Sequence, residues 1–503
     1  MIGWDHPDTA SNYDAFCAAH PRYRGANESL AWHAGLAPHH HVLDLGAGIG
    51  GTSEAALQWL SDAGRVVAFE PAEAMRNVGR RRVSDPRVRW VDACPEGPFD
   101  RILCGAAIWQ MLPIEHTIRE LASRLSAGGA LCFNIPSSYL GEPDSPGGGS
   151  DANLHGLPAL LGAASNAIGA DPLPAPSAIS DLLRECGLQV ERWRFRQPLT
   201  QQEYRDWLKI PVLTNHWFGP LDAAERARRI DLAFRGVDRD SWRWEAWSGW
   251  TAWRPPAPPS YSLPSHQPLT ESQLTSGDLS RSGLAARAET DGYLYFRGLL
   301  EPDQLEPLKS RVAELHRRQP VPPGAAYDDP RFLDLQRAVA LLPEWDALRR
   351  HPAILEALHR PLGQDIRAEC GDVCRVVAPR APGSATPPHQ DQFFVRQASR
   401  IWTVWIPLDD CPLRLGPLVV LPGSHRQGIQ PHIENRVADA NTSGWWAASS
   451  MSCGDVLMFD GCAVHRACPN LTCETVRFSA DFRYSRCDGR PGRASNESSS
   501  VDG

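Results

Sequence analysis

Between residues 255 and 278 the pattern of apolar residues is interrupted, first by five prolines up to Pro264 and then by a run rich in Ser, Gln and Thr. Such a composition favours an extended linker over a packed element. The two sides of the break differ. On the N-terminal side short apolar runs alternate with helical patterns, with strands at 41–45, 65–69, 101–105 and 130–135 and helices at 52–60, after Pro71 and at 114–125. Strand–helix alternation predicts a parallel sheet covered on both faces. On the C-terminal side a helical stretch at 301–318 gives way to strands at 400–407, 417–421, 455–459 and 475–484, separated by turns. That pattern predicts an antiparallel barrel or jelly roll. The expected architecture is a multidomain α/β plus jelly-roll chain, with domains at 1–255 and 281–488, a linker at 256–280 and a disordered polar tail at 489–503.

A length of 503 residues allows this division into two large domains or about three ordinary ones. The formal net charge is −8, which gives no global basic surface for phosphates and argues against nucleic acid as a partner. The 13 cysteines form no CxxC pair, so free thiols in a reducing compartment are expected. The first eight residues carry Asp5 and Asp8 and no apolar run, and the least charged stretch, 152–170, contains Asn153, His155 and Pro158. Neither a signal peptide nor a membrane span is expected, and the protein is read as soluble and cytoplasmic.

In the N-terminal half the informative segment is VLDLGAGIGG at 42–51. A buried strand runs into Gly46, Gly48 and Gly50 and a helix follows, so the turn is tight and a ligand can approach the backbone. Asp44 lies on the strand before the loop. Glu70 ends the next strand, 20 residues after Gly50, where a carboxylate can accept both hydroxyls of a ribose. The loop is not the GxGxxG that cradles a pyrophosphate, so a cofactor without phosphates suits it better than a dinucleotide. The tryptophans of WRWEAWSGWTAW (242–253) are read as strand and edge packing.

This half resembles the class I S-adenosylmethionine-dependent methyltransferases in LDLGAGIG, FEPAEAM, the WVDA around Asp92, PFDRILCGAAIWQM and LSAGGALCFNIP, over residues 10–255. The resemblance implies a Rossmann-like methyltransferase sheet and S-adenosylmethionine as cofactor. It places Gly46 and Gly48 near the methionine part, Glu70 on the ribose, Met75 along the adenine and Asp92 on the adenine amine. Tyr13, a candidate for closing over the methionine part, and Trp109 and Gln110, for facing the methyl acceptor, are read first as core or surface residues, and 142–176 equally as a lid or as helical packing.

In the C-terminal half PPHQD places His389 and Asp391 two apart. On a strand, residues i and i+2 share a side and can bind one ion. His465, after GDVLMFDGCAV, supplies a second imidazole, and three protein ligands leave three positions open on an octahedral Fe(II). Arg477 follows 12 residues later in VRFSADFRY, where its guanidinium can clamp a distal carboxylate. Ser479 is on the same face. His425, in PGSH, is read as structural, and the triplet His39, His40 and His41 as incidental.

These residues resemble the phytanoyl-CoA dioxygenase family of Fe(II)/2-oxoglutarate oxygenases. The match runs from ETDGYLYFRGLLEPDQLEPL through HQDQFF, WTVWIPLDDC, GPLVVLPGSH and HRACPN to RFSADFRY, over residues 285–485. The resemblance implies a double-stranded β-helix, His389, Asp391 and His465 as iron ligands, and Arg477 as anchor of the 2-oxoglutarate C5 carboxylate. The whole chain is thus expected to be a bifunctional enzyme acting on a small molecule in specialised metabolism. The alternative is an oxygenase carrying a non-catalytic methyltransferase-like binding domain.

Overall fold

The computed structural model describes residues 3–142, 173–218, 221–235, 241–255, 265–272, 281–322, 329–362, 366–369, 371–379, 385–395, 400–438 and 442–486, with Val237, Leu263 and Ala325. Nearly all of the expected lid and the tail at 489–503 lie outside these residues. The chain divides into two compact units, Met1–Pro268 and Leu269–Gly503. Among the described residues no helix is long and apolar enough to cross a membrane.

The first unit opens with helices α1 (Pro7–Ala19) and α2 (Arg22–His33) and continues with β1 (His41–Leu45), α3 (Gly51–Leu57), β2 (Arg65–Phe69), α4 (Glu73–Arg82), β3 (Val88–Val91), β4 (Phe99–Cys104) and β5 (Leu125–Pro136). Strands β6 (Gln189–Thr200), β7 (Trp242–Trp253) and β8 (Ser265–Gln267) complete it, in the sheet order β8-β6-β7-β5-β4-β1-β2-β3. Pairing is parallel from β5 through β4, β1 and β2 to β3. Both faces are buried, as the alternation required: Leu43 and Leu45 join one apolar cluster and Val42 another.

Two parts of this unit differ from the expectation. The Trp-rich segment is an interior strand and not an edge, because β7 lies antiparallel between β5 and β6. Trp247 and Trp250 are buried, and Trp250 stacks on Phe133 at 5.2 Å. Gly249 permits this packing, since a methyl group there would lie 2.3 Å from the Trp193 ring. The linker at 256–280 is not free throughout. Its residues 265–267 form β8, paired with Arg194 and Phe195 of β6, and His266 is buried beside His33, their rings 5.0 Å apart.

The second unit begins with helices, the longest being α5 (Pro302–Arg318). Its main sheet runs β10 (Ile366–Ala368), β19 (Arg477–Arg486), β12 (Ile401–Pro407), β17 (Val456–Asp460), β9 (Tyr293–Phe296), with β11 (Val373–Val377) also on β19. Opposing strands are β13 (Leu418–Val420), β16 (Trp446–Ala447) and β18 (His465–Ala467), and a hairpin is formed by β14 (His432–Ile433) and β15 (Arg436–Val437). This is the jelly-roll pattern of short antiparallel strands. Period-2 alternation sorts the side chains of its two central strands. Trp402, Val404 and Ile406 of β12 and Ala480, Phe482 and Tyr484 of β19 pack with the helices, including Leu305 and Leu308 of α5. The odd-numbered residues of both strands, Thr403 and Trp405 with Arg477, Ser479, Asp481 and Arg483, are left for the opposite face.

Candidate functional sites

In the first unit β1 delivers the chain into a loop whose Gly46, Gly48 and Gly50 all have positive φ, 70°, 56° and 95°. At Gly46 a side chain would be doubly disfavoured, because its Cβ would also lie 2.9 Å from that of Ala107. The Glu70 carboxylate accepts the backbone N–H of Gly48 at 2.8 Å and of Ala72 at 2.9 Å. Two backbone donors thus orient it toward a cavity of about 630 Å³ lined by Gly46, Gly48, Glu70, Met75, Tyr13 and Gln110, among others. Burial raises the Glu70 carboxyl above its ordinary value.

Asp44, Gly50 and Asp92 do not line this cavity. Asp44 is fully buried beneath the loop and accepts the Ser53 hydroxyl at 2.6 Å. Burial pushes its carboxyl up to about 7, so it serves the strand–helix turn and not the cavity wall. Gly50 gives the loop room against Val83 and Trp90. The Asp92 side chain is 72% exposed and pairs with Arg76 at 3.6 Å. Residues from outside the motifs complete the wall. Trp4 packs edge-on against Tyr13 and donates its indole N–H to Gln110 at 2.7 Å, and Tyr23, Arg24 and Asn27 come from α2. No sequence motif flags these residues, since their place depends on how α1 and α2 pack.

In the second unit His389, Asp391 and His465 converge, each offering one ligand atom within 4.8 Å of the others. The route is not the one expected. His389 forms an isolated antiparallel bridge with His465, the first residue of β18. Asp391 does not continue a strand but opens a single helical turn, α6 (Asp391–Phe394). The helical turn carries its carboxylate back to the imidazoles, with Asp391 Oδ1 3.6 Å from His389 Nε2 and 3.7 Å from His465 Nε2. Each ring has its Nδ1 against a backbone carbonyl, Pro387 O at 2.8 Å and Ala463 O at 3.0 Å. Donation there leaves each Nε2 as a lone pair facing the centre. Burial lowers the His465 imidazole to about 3, helped by the neighbouring His389. Burial alone would raise the Asp391 carboxyl, but Arg483 and the two imidazoles together outweigh it and hold it well below the ordinary carboxylate range. The donor set is one carboxylate and two imidazoles, that of His465 held neutral by its burial.

Arg477, first residue of β19, is buried, donates from Nη1 to Gly416 O at 2.5 Å and lies 5.5 Å from the Trp405 ring. Its Nε and the Ser479 hydroxyl are buried without a hydrogen-bond partner. Among the described residues no carboxylate forms an ion pair with this guanidinium. His425 stands apart, its Nε2 3.0 Å from Glu289 O. His40 accepts the backbone N–H of Ala37 at 2.9 Å, and the triplet joins no metal-capable group among the described residues. Sequence reasoning missed Thr403 and Arg483, both of which hydrogen-bond to Asp391.

The family model for methyltransferase domains matches residues 42–129, and that for phytanoyl-CoA dioxygenases matches residues 288–478. A trans-aconitate 2-methyltransferase of Escherichia fergusonii is 30% identical over 229 residues, 43% of this chain and 83% of the relative. A 1-deoxypentalenic acid 11-beta-hydroxylase of Streptomyces exfoliatus is 27% identical over 232 residues, 40% of this chain and 80% of the relative. Among solved structures, EvdMO1 covers 94% of this chain and 91% of its own, at 15% identity and a TM-score of 0.31. The chain belongs to the methyltransferases in its first unit, and its second unit carries the match to the phytanoyl-CoA dioxygenase model.

The cofactors follow: S-adenosylmethionine for the methyltransferase, Fe(II) with 2-oxoglutarate as co-substrate for the dioxygenase. The residues present fit them. In the dioxygenase two imidazoles and a carboxylate with open positions are the donor set of non-haem Fe(II) enzymes, and the orphaned Arg477 Nε and Ser479 hydroxyl can both donate to a carboxylate. In the methyltransferase the cavity wall includes the Gly46 and Gly48 backbone and the oriented Glu70 carboxylate, which suits a ligand with a ribose.

Proposed function

We propose that the protein is a bifunctional cytoplasmic enzyme. It methylates a small molecule with S-adenosylmethionine and oxidises the same or a related molecule, by hydroxylation, with Fe(II), O2 and 2-oxoglutarate, in specialised metabolism. The observation that carries the reading is that one chain holds both the buried convergence of His389, Asp391 and His465 in its second unit and a cofactor-sized cavity in its first. The 11 cysteines among the described residues are free thiols, in keeping with a reducing compartment. The hydroxylase relative's name supports hydroxylation of a small molecule, and both relatives' names specify small-molecule substrates.

In the oxidative half His389, Asp391 and His465 hold the metal. Arg477 and Ser479 clamp the far carboxylate of 2-oxoglutarate, the guanidinium supplying charge and the hydroxyl a further donor. Iron bound there supplies the oxidation of an unactivated C–H bond. The chain's own contribution is to bury the donors, each no more than 5% exposed, and to keep the His465 imidazole neutral. In the transfer half Gly46 and Gly48 let the methionine part lie against the backbone, Glu70 accepts the ribose hydroxyls and Met75 packs on the adenine. A sulfonium methyl is already activated, so alignment and exclusion of water do most of the work. Tyr13 and Gln110 close the cavity from α1 and the segment after β4.

The test is succinate release by anaerobically iron-loaded protein given O2 and 2-oxoglutarate, wild type beside His389→Ala. Succinate from the wild type alone supports the oxygenase and justifies a metabolite screen with S-adenosylmethionine present. A wild type that binds neither iron nor 2-oxoglutarate overturns it.

A further inference from the structure

We propose that Arg483 and Thr403 are positioning residues of the metal centre, which fix Asp391 so that it presents one oxygen to the metal; the inference rests on the metal reading above. Thr403 on β12 and Arg483 on β19 are direct cross-strand partners, and the alternation of both strands turns them to the same face. The Thr403 hydroxyl donates to Asp391 Oδ2 at 2.6 Å. Arg483 donates to the same oxygen from Nη2 at 3.0 Å and from Nε at 3.3 Å, and Nη2 also reaches Oδ1 at 3.2 Å.

An ionised carboxylate has about four lone-pair directions. Three hydrogen bonds, from the Thr403 hydroxyl and from Arg483 Nη2 and Nε, reach Oδ2 and one reaches Oδ1. What is left on Oδ1 faces His389 Nε2 and His465 Nε2, at 3.6 and 3.7 Å. A carboxylate free to rotate could chelate through both oxygens or swing away; this one is held to a single-oxygen role. Arg483 is itself held, donating from Nη1 to Gly371 O at 2.7 Å and lying 3.8 Å from Asp481. At 3% exposure it has little freedom. Its permanent charge also offsets the buried carboxylate before metal arrives.

Removal of such supporting partners typically weakens metal binding 10- to 100-fold. The experiment is titration of the full-length apo-protein with Mn(II), reading free Mn(II) by its electron paramagnetic resonance signal, for wild type, Arg483→Met, Arg483→Lys and Thr403→Val. Folding is checked by circular dichroism and thermal melting. Arg483→Met should bind about 10- to 100-fold more weakly. Arg483→Lys should recover part of the loss, since an ammonium keeps the charge but not the fork. Thr403→Val should lose about 3- to 10-fold, the worth of one hydrogen bond. Wild-type affinity in folded Arg483→Met overturns the proposal. If that variant does not fold, wild-type affinity in Thr403→Val overturns it. A wild type that binds no Mn(II) overturns the metal reading itself, and this inference with it.

Discussion

The methyltransferase unit builds its site on backbone: two cavity-lining glycines at positive φ, Gly46 and Gly48, one carboxylate pinned by two N–H groups, and a cavity of about 630 Å³. The dioxygenase unit instead concentrates its chemistry in three side chains whose ligand atoms lie within 4.8 Å of one another. A large organic cofactor is recognised by many weak contacts spread over its surface, so no single side chain should be decisive. A metal ion is held by a few strong ones, so each should be. The contrast predicts graded losses in the first unit and near-total ones in the second.

The largest effect should come from His389→Ala, which removes one of three ligands. Succinate release should become undetectable while S-adenosylmethionine binding, measured by calorimetry, stays at the wild-type value. A partial loss would blur the contrast. Arg477→Gln should come next, raising the KM for 2-oxoglutarate about 10- to 100-fold, the worth of a charge-assisted hydrogen bond, with little change in metal affinity. Glu70→Ala should weaken S-adenosylmethionine binding by about 10-fold and leave succinate release untouched.

The smallest effect should be that of Asp44→Asn, read as stability against pH. Burial raises this carboxyl to about 7 in the folded unit, against about 3.9 in an unfolded chain. Between those values the folded state binds the proton and the unfolded state does not, so the group's contribution to stability is full below about pH 4 and is lost as pH rises toward 7. Asp44→Asn should flatten that slope in scanning calorimetry without abolishing cofactor binding. Unchanged slope would place the ionisable group elsewhere.

What the sequence made legible was local. VLDLGAGIGG announces a strand, a tight turn and a helix within ten residues, and Glu70 follows at the next strand end. The alternation of RFSADFRY marks Arg477 and Ser479 as sharing a face, which β19 confirms. What escaped depends on distant pairing. The interior place of β7 is set by its antiparallel neighbours β5 and β6, and nothing within twelve residues specifies both. Asp391 sits on a four-residue helix, too short to leave a period, so a strand was the natural reading of HxD. Arg483 meets its partner 92 residues away. It lay within the quoted motif, six residues after Arg477 and on the same alternating face, yet residue type alone gave it no ligand to serve. The surface position of Asp92 was equally invisible, because exposure is decided by how α4 and β3 pack.

The most direct test of two independent sites in one chain is paired titration of a single preparation, S-adenosylmethionine by calorimetry and Mn(II) with 2-oxoglutarate by paramagnetic resonance, in wild type, His389→Ala and Glu70→Ala. The account predicts one site of each kind in the wild type. It also predicts loss of metal with retained S-adenosylmethionine in His389→Ala, and the reverse pattern of weakening in Glu70→Ala. A wild type that binds metal and 2-oxoglutarate but no S-adenosylmethionine, or a substitution at either site that removes both ligands from a folded protein, would contradict it.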